Sequence, residues 1–158
     1  MVDCEYDHDE LDHLSECFTE ASSAESTQEC IKKIEDEGYR HLGGSTRAVF
    51  YKEGTNCVVK MSKHGDGRFN RREVERSNMD GFEGAVVPVE DSGKDNRWLT
   101  MRVVEKRSFN ETPWDDVKKV KEKLRDGGWE CRDIRRPNIG YLDNKPRAFD
   151  YAEECEEI

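Results

Sequence analysis

No run of apolar residues in this chain approaches the roughly 20 needed to cross a bilayer as a helix, so no membrane span is expected. A secretory leader is not expected either: Asp3, Glu5 and Asp7 stand where a signal peptide carries its basic and apolar regions. Excess positive charge is also lacking. Asp and Glu number 36 against 26 Lys and Arg, for a net charge of -10, and such a surface repels a nucleic-acid backbone. Nucleic acid is therefore an unexpected partner, whereas an acidic surface suits a high-salt cytoplasm or a virus of such a host. The six cysteines, Cys4, Cys17, Cys30, Cys57, Cys131 and Cys155, contain no C-x-x-C step and match no zinc framework. Free thiols in a reducing cytoplasm are the expectation, with Cys131 as a small buried filler.

What is present suits a folded domain. A length of 158 residues is one domain's worth, with a modest core. Charged residues make up 39% and hydrophobic ones 34%, which is polar, but 9% aromatic residues argue against disorder throughout. Residues 1 to about 10 show no periodicity and are expected to fray. Leu11, Leu14, Cys17 and Phe18 share one face of a short helix opening at Asp9-Glu10. After a break at Ser22-Ser23, Ser26 or Thr27 is expected to cap a helix over Gln28 to Glu37, with Cys30, Ile31 and Ile34 inward and Gly38 ending it. His8 and His13 read as solvated surface histidines rather than metal ligands.

From Tyr39 the pattern turns to strands. Tyr39 to Leu42 leads into Gly43-Gly44-Ser45-Thr46, then Ala48 to Lys52, a turn over Glu53 to Asn56, and Cys57 to Met61 with Lys60 inside the apolar run. Glycine at a hairpin tip serves turn geometry, and its exposed amides, with the hydroxyls of Ser45 and Thr46, can also donate to a phosphate. Residues 69–79 read as a charged helix in which Phe69, Glu73 and Arg76 share a face. A strand over Ala85 to Glu90 contains Pro88, so it is short or at an edge. A turn over Asp91 to Asn96 and a partner strand over Trp98 to Glu105 follow, with Trp98 and Met101 as core. Thr112 is expected to cap a helix with Pro113 first, an apolar stripe of Trp114, Val117, Val120 and Leu124, and a stop at Gly127-Gly128. Its basic run, Lys118, Lys119, Lys121, Lys123 and Arg125, reads as the solvated face.

The densest chemistry lies beyond Trp129. A polar loop over Glu130 to Asn138, a short apolar strand through Leu142, a turn over Asp143 to Pro146 and a second strand ending in Asp150 place Asp133, Asn138 and Asp150 at the edges of apolar runs. Asp and Asn are poor strand formers, so their positions suggest a site that needs them.

This order resembles the catalytic half of the protein-kinase-like fold, in its compact prokaryotic or viral form. Asp133 follows Arg132 and precedes Asn138 by five residues, and Asp150-Tyr151-Ala152 stands where that family has Asp-Phe-Gly. Upstream, the glycine turn, two strands, Lys60 and the helix with Glu73 keep the family's order, and Gly67, Asn70 and Glu73 fall three apart, as such a helix opens. The departures are Cys131 for the loop histidine, Ala152 for the final glycine, and two adjacent glycines for G-x-G-x-x-G. The resemblance covers about residues 39 to 152.

It implies an α+β fold: an N-terminal antiparallel sheet lobe with one long helix, then a truncated helical C-terminal lobe carrying the catalytic-loop hairpin. Residues 1–38 would be an acidic helical extension, 39–106 the strand-rich nucleotide-binding lobe and 107–158 the catalytic lobe with an acidic tail. ATP and Mg²⁺ are the implied cofactors. Gly43, Gly44, Ser45 and Thr46 would cover the phosphates, with Lys60 contacting them and Glu73 (or Glu75) holding Lys60. Met101 would guard the back of the pocket, and Val104, in the hinge of Val103 to Glu105, would face the adenine edge. Asp133 would be the base, and Asn138 and Asp150 would hold metal. Arg135 or Arg136 would meet the moving phosphoryl group, or belong only to the surface. The expected acceptor is a protein or a small molecule, and the expected location is cytoplasmic, in the host if viral. Eight residues follow Asp150, so a partner protein could supply a substrate lobe. The competing readings are a catalytically weak nucleotide-binding or interaction module and an unrelated α+β domain. Clustered polar residues are costly to retain without a use, which favours competence.

Overall fold

The computed structural model describes residues 4–63 and 67–158; His64, Gly65 and Asp66, which the sequence reads as part of a loop over Ser62 to Arg68, lie outside them. In order the elements are α1 (His8–Glu20), α2 (Ala24–Asp36), β1 (Tyr39–Gly43), β2 (Arg47–Lys52), β3 (Cys57–Ser62), α3 (Arg68–Ser77), β4 (Val89–Ser92), β5 (Trp98–Arg102), α4 (Trp114–Asp126), β6 (Trp129–Cys131), β7 (Ile139–Leu142), β8 (Lys145–Ala148) and β9 (Cys155–Glu157), with short 3₁₀ turns between some of them. The chain divides into two units, Met1–Arg71 with Val89–Val103, and Arg72–Pro88 with Val104–Ile158.

The first unit is an antiparallel five-stranded sheet in the order β1-β2-β3-β5-β4 with α1 and α2. Side chains alternate across a sheet, and the register sorts them. Ala48, Phe50, Val59, Met61 and Trp98 join Leu11, Phe18, Ile31 and Ile34 of the two helices in one buried cluster. Val49, Lys60 and Leu99 pair across β2, β3 and β5 one step out of phase with that set, so they occupy the opposite face. Trp98 and Met101 are buried, as expected.

Local chemistry sets the helix ends. Asp7 accepts from the Asp9 and Glu10 amides to open α1. The cap of α2 is Ser23, in a reciprocal capping box with Ser26. The expected Ser26 or Thr27 cap is corrected: Ser26 sits three residues inside the helix and answers the cap. The first described residues are tied down rather than frayed. Tyr6 Oη donates to Asp91 Oδ2 at 2.7 Å, and Cys4 is bonded to Cys57.

That bond is one of three. Cys17 on α1 pairs with Cys30 on α2, and Cys131 pairs with Cys155, its register partner across β6 and β9. The expectation of free thiols, and of Cys131 as filler, is overturned: folding brings together cysteines that are 13 to 53 residues apart in sequence, and no short spacing announces such pairs. The cytoplasmic expectation rested on those thiols. Among the described residues no helix is long and apolar enough to cross a membrane.

In the second unit α4 buries Val117, Val120 and Leu124. Trp114, expected on that stripe, is 47% exposed, because it stands at the first helical position. Thr112 does not cap; its hydroxyl donates to the Ser108 carbonyl at 3.1 Å, closing the preceding loop. The expected strand over Ala85 to Glu90 splits at Pro88. Val89 starts β4, while Val87 donates to the Ala148 carbonyl and the Ala148 amide to Ala85 at the end of β8. Proline, with no N–H, cannot continue the ladder. Strand β5 ends at Arg102 rather than Glu105, and Glu105 bridges Tyr141 of β7. The β7–β8 hairpin turns on Asp143 and Asn144, at φ 53° and 63°, the paired left-handed geometry of a tight hairpin. The acidic tail supplies β9, which pairs with β6.

Candidate functional site

In the first unit the glycine turn joins β1 to β2. Gly44 has φ +115°, and a Cβ there would overlap the carbonyl oxygen of Arg47, so turn geometry alone demands glycine. Lys63 Nζ donates to the carbonyls of Gly44 at 2.9 Å and Ser45 at 3.3 Å. Sequence reasoning passed over this second cation because a loop lysine carries no pattern. Lys60 is only 5% exposed. Behind it Asn70, fully buried, donates Nδ2 to the carbonyls of Lys60 at 3.1 Å and Asn96 at 2.9 Å, and accepts from Arg47. The glycine turn and Lys60 thus share one unit, in register through β2 and β3.

The second unit holds the expected acids. The Asp133 carbonyl accepts from the Arg135 amide at 3.0 Å and from Asn138 Nδ2 at 2.9 Å, closing the loop on itself. The Asp133 carboxylate lies 3.3 Å from Arg135 Nη2. The Asn138 carbonyl accepts from the Phe149 amide at 3.1 Å. Register does the rest: Ile139 faces Ala148 across β7 and β8, so Asn138 and the residues leading to Asp150 meet at the open end of the hairpin. Asp133 and Asp150 are both partly exposed.

Glu73 is completely buried, and its Oε2 accepts from the Tyr151 amide at 3.1 Å, the residue after Asp150. Tyr151 is buried and its hydroxyl donates to the Val87 carbonyl at 2.7 Å. Arg76, one turn beyond Glu73, donates to the carbonyls of Tyr151 and Glu153. Burial, and then the neighbouring Arg72, hold the Arg76 guanidinium below its usual pKa. Val104 packs on Gly140, where a Cβ would overlap its Cγ2. Arg136 lies 5.9 Å over the Trp114 ring. Tyr141 donates to Asp116 Oδ2 at 2.7 Å, and burial followed by that bond raises its pKa. Elsewhere His8, Asp9 and Asp12 each bring a ligand atom within 4.8 Å of the others. Asp12, however, already accepts from the Trp98 indole at 2.7 Å and lies 3.4 Å from His8.

The fold has counterparts among solved structures. The chain superposes on WbdD, determined with the kinase inhibitor LY294002, with a TM-score of 0.52 and 16% identity over 75% of this chain and 33% of that one. It also superposes on the Cydia pomonella granulovirus kinase PK-1, with a TM-score of 0.50 and 17% identity over 83% of this chain and 60% of that one. At these identities the likeness establishes the fold: the chain has a compact protein-kinase-like fold, of the α+β class expected. It spans a third of the first of these structures and 60% of the second. No family model matches the sequence, and no curated protein matches it.

Proposed function

We propose that this chain is an ATP-dependent, Mg²⁺-requiring phosphotransferase of the kinase-like type. Nucleotide binding is assigned to residues 39–106 and the catalytic loop to 107–158, with 1–38 as an extension. Phosphoryl transfer needs negative charge neutralised and an acceptor oxygen held in line, with little covalent work for the protein. Lys60, held by Glu73, contacts phosphate oxygens under the turn of Gly43, Gly44, Ser45 and Thr46. Main-chain groups at Val104 meet the adenine edge. Asp133 orients and deprotonates the acceptor hydroxyl, which belongs to a protein or a small molecule.

The observation that carries this reading is the hydrogen-bonded path through the second unit. Asn138 is fixed to Asp133 through its side chain and to Phe149 through its carbonyl, and Glu73 takes the amide on the other side of Asp150. The Asn138 amide nitrogen is committed to Asp133, which leaves its oxygen as the ligand atom. That oxygen and the Asp150 carboxylate are the hard donors Mg²⁺ prefers. Bound Mg²⁺ would neutralise phosphate charge and orient the nucleotide. For the compartment, ATP use favours the cytoplasm and the three disulfides an oxidising environment. Thiol trapping at lysis separates the two.

The test is calorimetric titration of ATP, with and without Mg²⁺, on the wild type, Lys60→Met and Asp150→Asn. Mg²⁺-dependent binding weakened by both substitutions is expected. Metal-independent binding that ignores Asp150→Asn would instead favour a catalytically weak nucleotide-binding module. No binding of any nucleotide would remove the activity and leave only the fold.

A further inference from the structure

We infer that Arg76 is a positioning residue: it fixes the main chain after Asp150 and so sets the direction in which that carboxylate is presented. The inference rests on the phosphotransferase reading for its metal role and on geometry for the rest. The three residues after Asp150 lie in no strand, and β9 starts only at Cys155. Their main-chain groups therefore have no ladder to satisfy them, although Tyr151 and Ala152 are each 1% exposed; buried amides and carbonyls require partners. Side chains of one helix supply several. Glu73 accepts from the Tyr151 amide. Arg76 Nη1 donates to the carbonyls of Tyr151 and Glu153. Arg72 Nη1 reaches the Ala152 carbonyl at 3.4 Å. Residues three and four apart share a helix face, so positions 72, 73 and 76 form one clamp.

The clamp has a cost that solvated arginines would not incur. Arg72 and Arg76 are like charges one turn apart, and Arg76 is partly buried among polar main chain. What the arrangement secures is direction. With the carbonyls of Tyr151 and Glu153 held by one planar guanidinium, and the Tyr151 ring anchored at Val87, the peptide planes after Asp150 have little freedom. A metal-binding carboxylate needs its supporting groups fixed in the same way.

The experiment compares Arg76→Met and Arg76→Lys with the wild type in the full chain, by amide hydrogen exchange over residues 150–153 and by the Mg²⁺ concentration that half-maximally promotes ATP binding. Arg76→Met is expected to speed exchange in that segment by roughly tenfold or more, leaving the β1–β5 sheet protected. The Mg²⁺ requirement should rise by a similar factor while metal-free ATP affinity stays unchanged. Arg76→Lys, which keeps the charge and a donor nitrogen but loses the rigid planar guanidinium, should recover part of both. Exchange and Mg²⁺ requirement within about twofold of wild type would overturn the inference. Should Arg76→Met fail to fold, Arg76→Lys decides alone: looser exchange over 150–153 supports the clamp, and unchanged exchange refutes it. A wild type that binds no Mg²⁺-ATP would sink the phosphotransferase reading and the metal role, and exchange would still decide whether Arg76 holds the segment.

Discussion

Removing the Cys131–Cys155 bond should lower the thermal stability of the second unit by an amount that its loop length sets. The two cysteines are 24 residues apart, and chain-entropy arithmetic for a loop of that size gives about 3.5 kcal/mol. For a chain of this length each kcal/mol moves the melting midpoint by roughly 2–4 °C, so the double variant Cys131→Ala/Cys155→Ala should melt about 7–14 °C lower. Strands β6 and β9 have three residues each, and an isolated two-stranded ribbon is marginal without outside help, so little else compensates. The readout is built in. Trp129 and Cys131 line one cavity of about 620 Å³ with Ile134, so opening the ribbon changes the surroundings of an indole, and its fluorescence follows the transition. Alkylation of the unreduced native protein, read by mass, should find no reactive thiol. Labelling at Cys131 and Cys155 would show that the pair is not bonded. A bonded pair whose removal moves the midpoint by less than about 2 °C would refute the loop-closure reasoning.

Other consequences follow from buried contacts. Asn70→Leu withdraws donors from the Lys60 and Asn96 carbonyls and should cost about 2–4 kcal/mol; the urea midpoint should fall at constant slope, and a loss below about 0.5 kcal/mol would refute its bridging role. Gly44→Ala, at φ +115° and against the Arg47 carbonyl, should cost about 1–3 kcal/mol, read in the same way; a neutral result would mean the turn rebuilds freely. Burial, and then the bond to Asp91, raise the Tyr6 pKa to about 12. Because the folded value lies above the ordinary 10.0, the stabilisation is complete below pH 10 and is lost as pH rises through 12. The stability gap between wild type and Tyr6→Phe should therefore close over that window, and a gap independent of pH would contradict the assignment.

Much of the first unit was legible because period and punctuation agree there. Apolar residues alternate through Ala48, Phe50, Val59 and Met61, and Gly43-Gly44 and Gly54 mark the turns. The misreadings came where local signals competed. Ser22, Ser23, Ser26 and Thr27 all carry hydroxyls able to cap α2, and only the reciprocal geometry of Ser23 and Ser26 selects one. Ala85-Val86-Val87 is apolar and β-branched enough for a sheet strand, yet the Val87 amide donates to the Ala148 carbonyl and the Ala85 carbonyl accepts from the Ala148 amide, far along the chain. Disulfides were illegible for a related reason: only register brings Cys131 opposite Cys155.

The candidate site shows the same asymmetry between side-chain chemistry and main-chain partnership. Asp133, Asn138 and Asp150 stood out because few roles place Asp and Asn beside apolar strands, so residue type and order carried information. Lys63 did not, and Asn70 and Arg76 were placed on their helix without a role, since each acts on carbonyl oxygens, and every residue in the chain has one of those. A donor's sequence position says nothing about which carbonyl it meets. One signal was nevertheless available: Asn70, Glu73 and Arg76 repeat at steps of three, a polar stripe in a helix where apolar residues would normally face inward. Glu73 and Asn70 prove to be fully buried. A buried polar stripe is tolerable only if each group finds a partner, and the partners it finds are the β3 carbonyl at Lys60 and the main chain after Asp150. The residues expected to do the chemistry and those that hold their main chain are therefore specified by different kinds of pattern, and only the first is written in residue type.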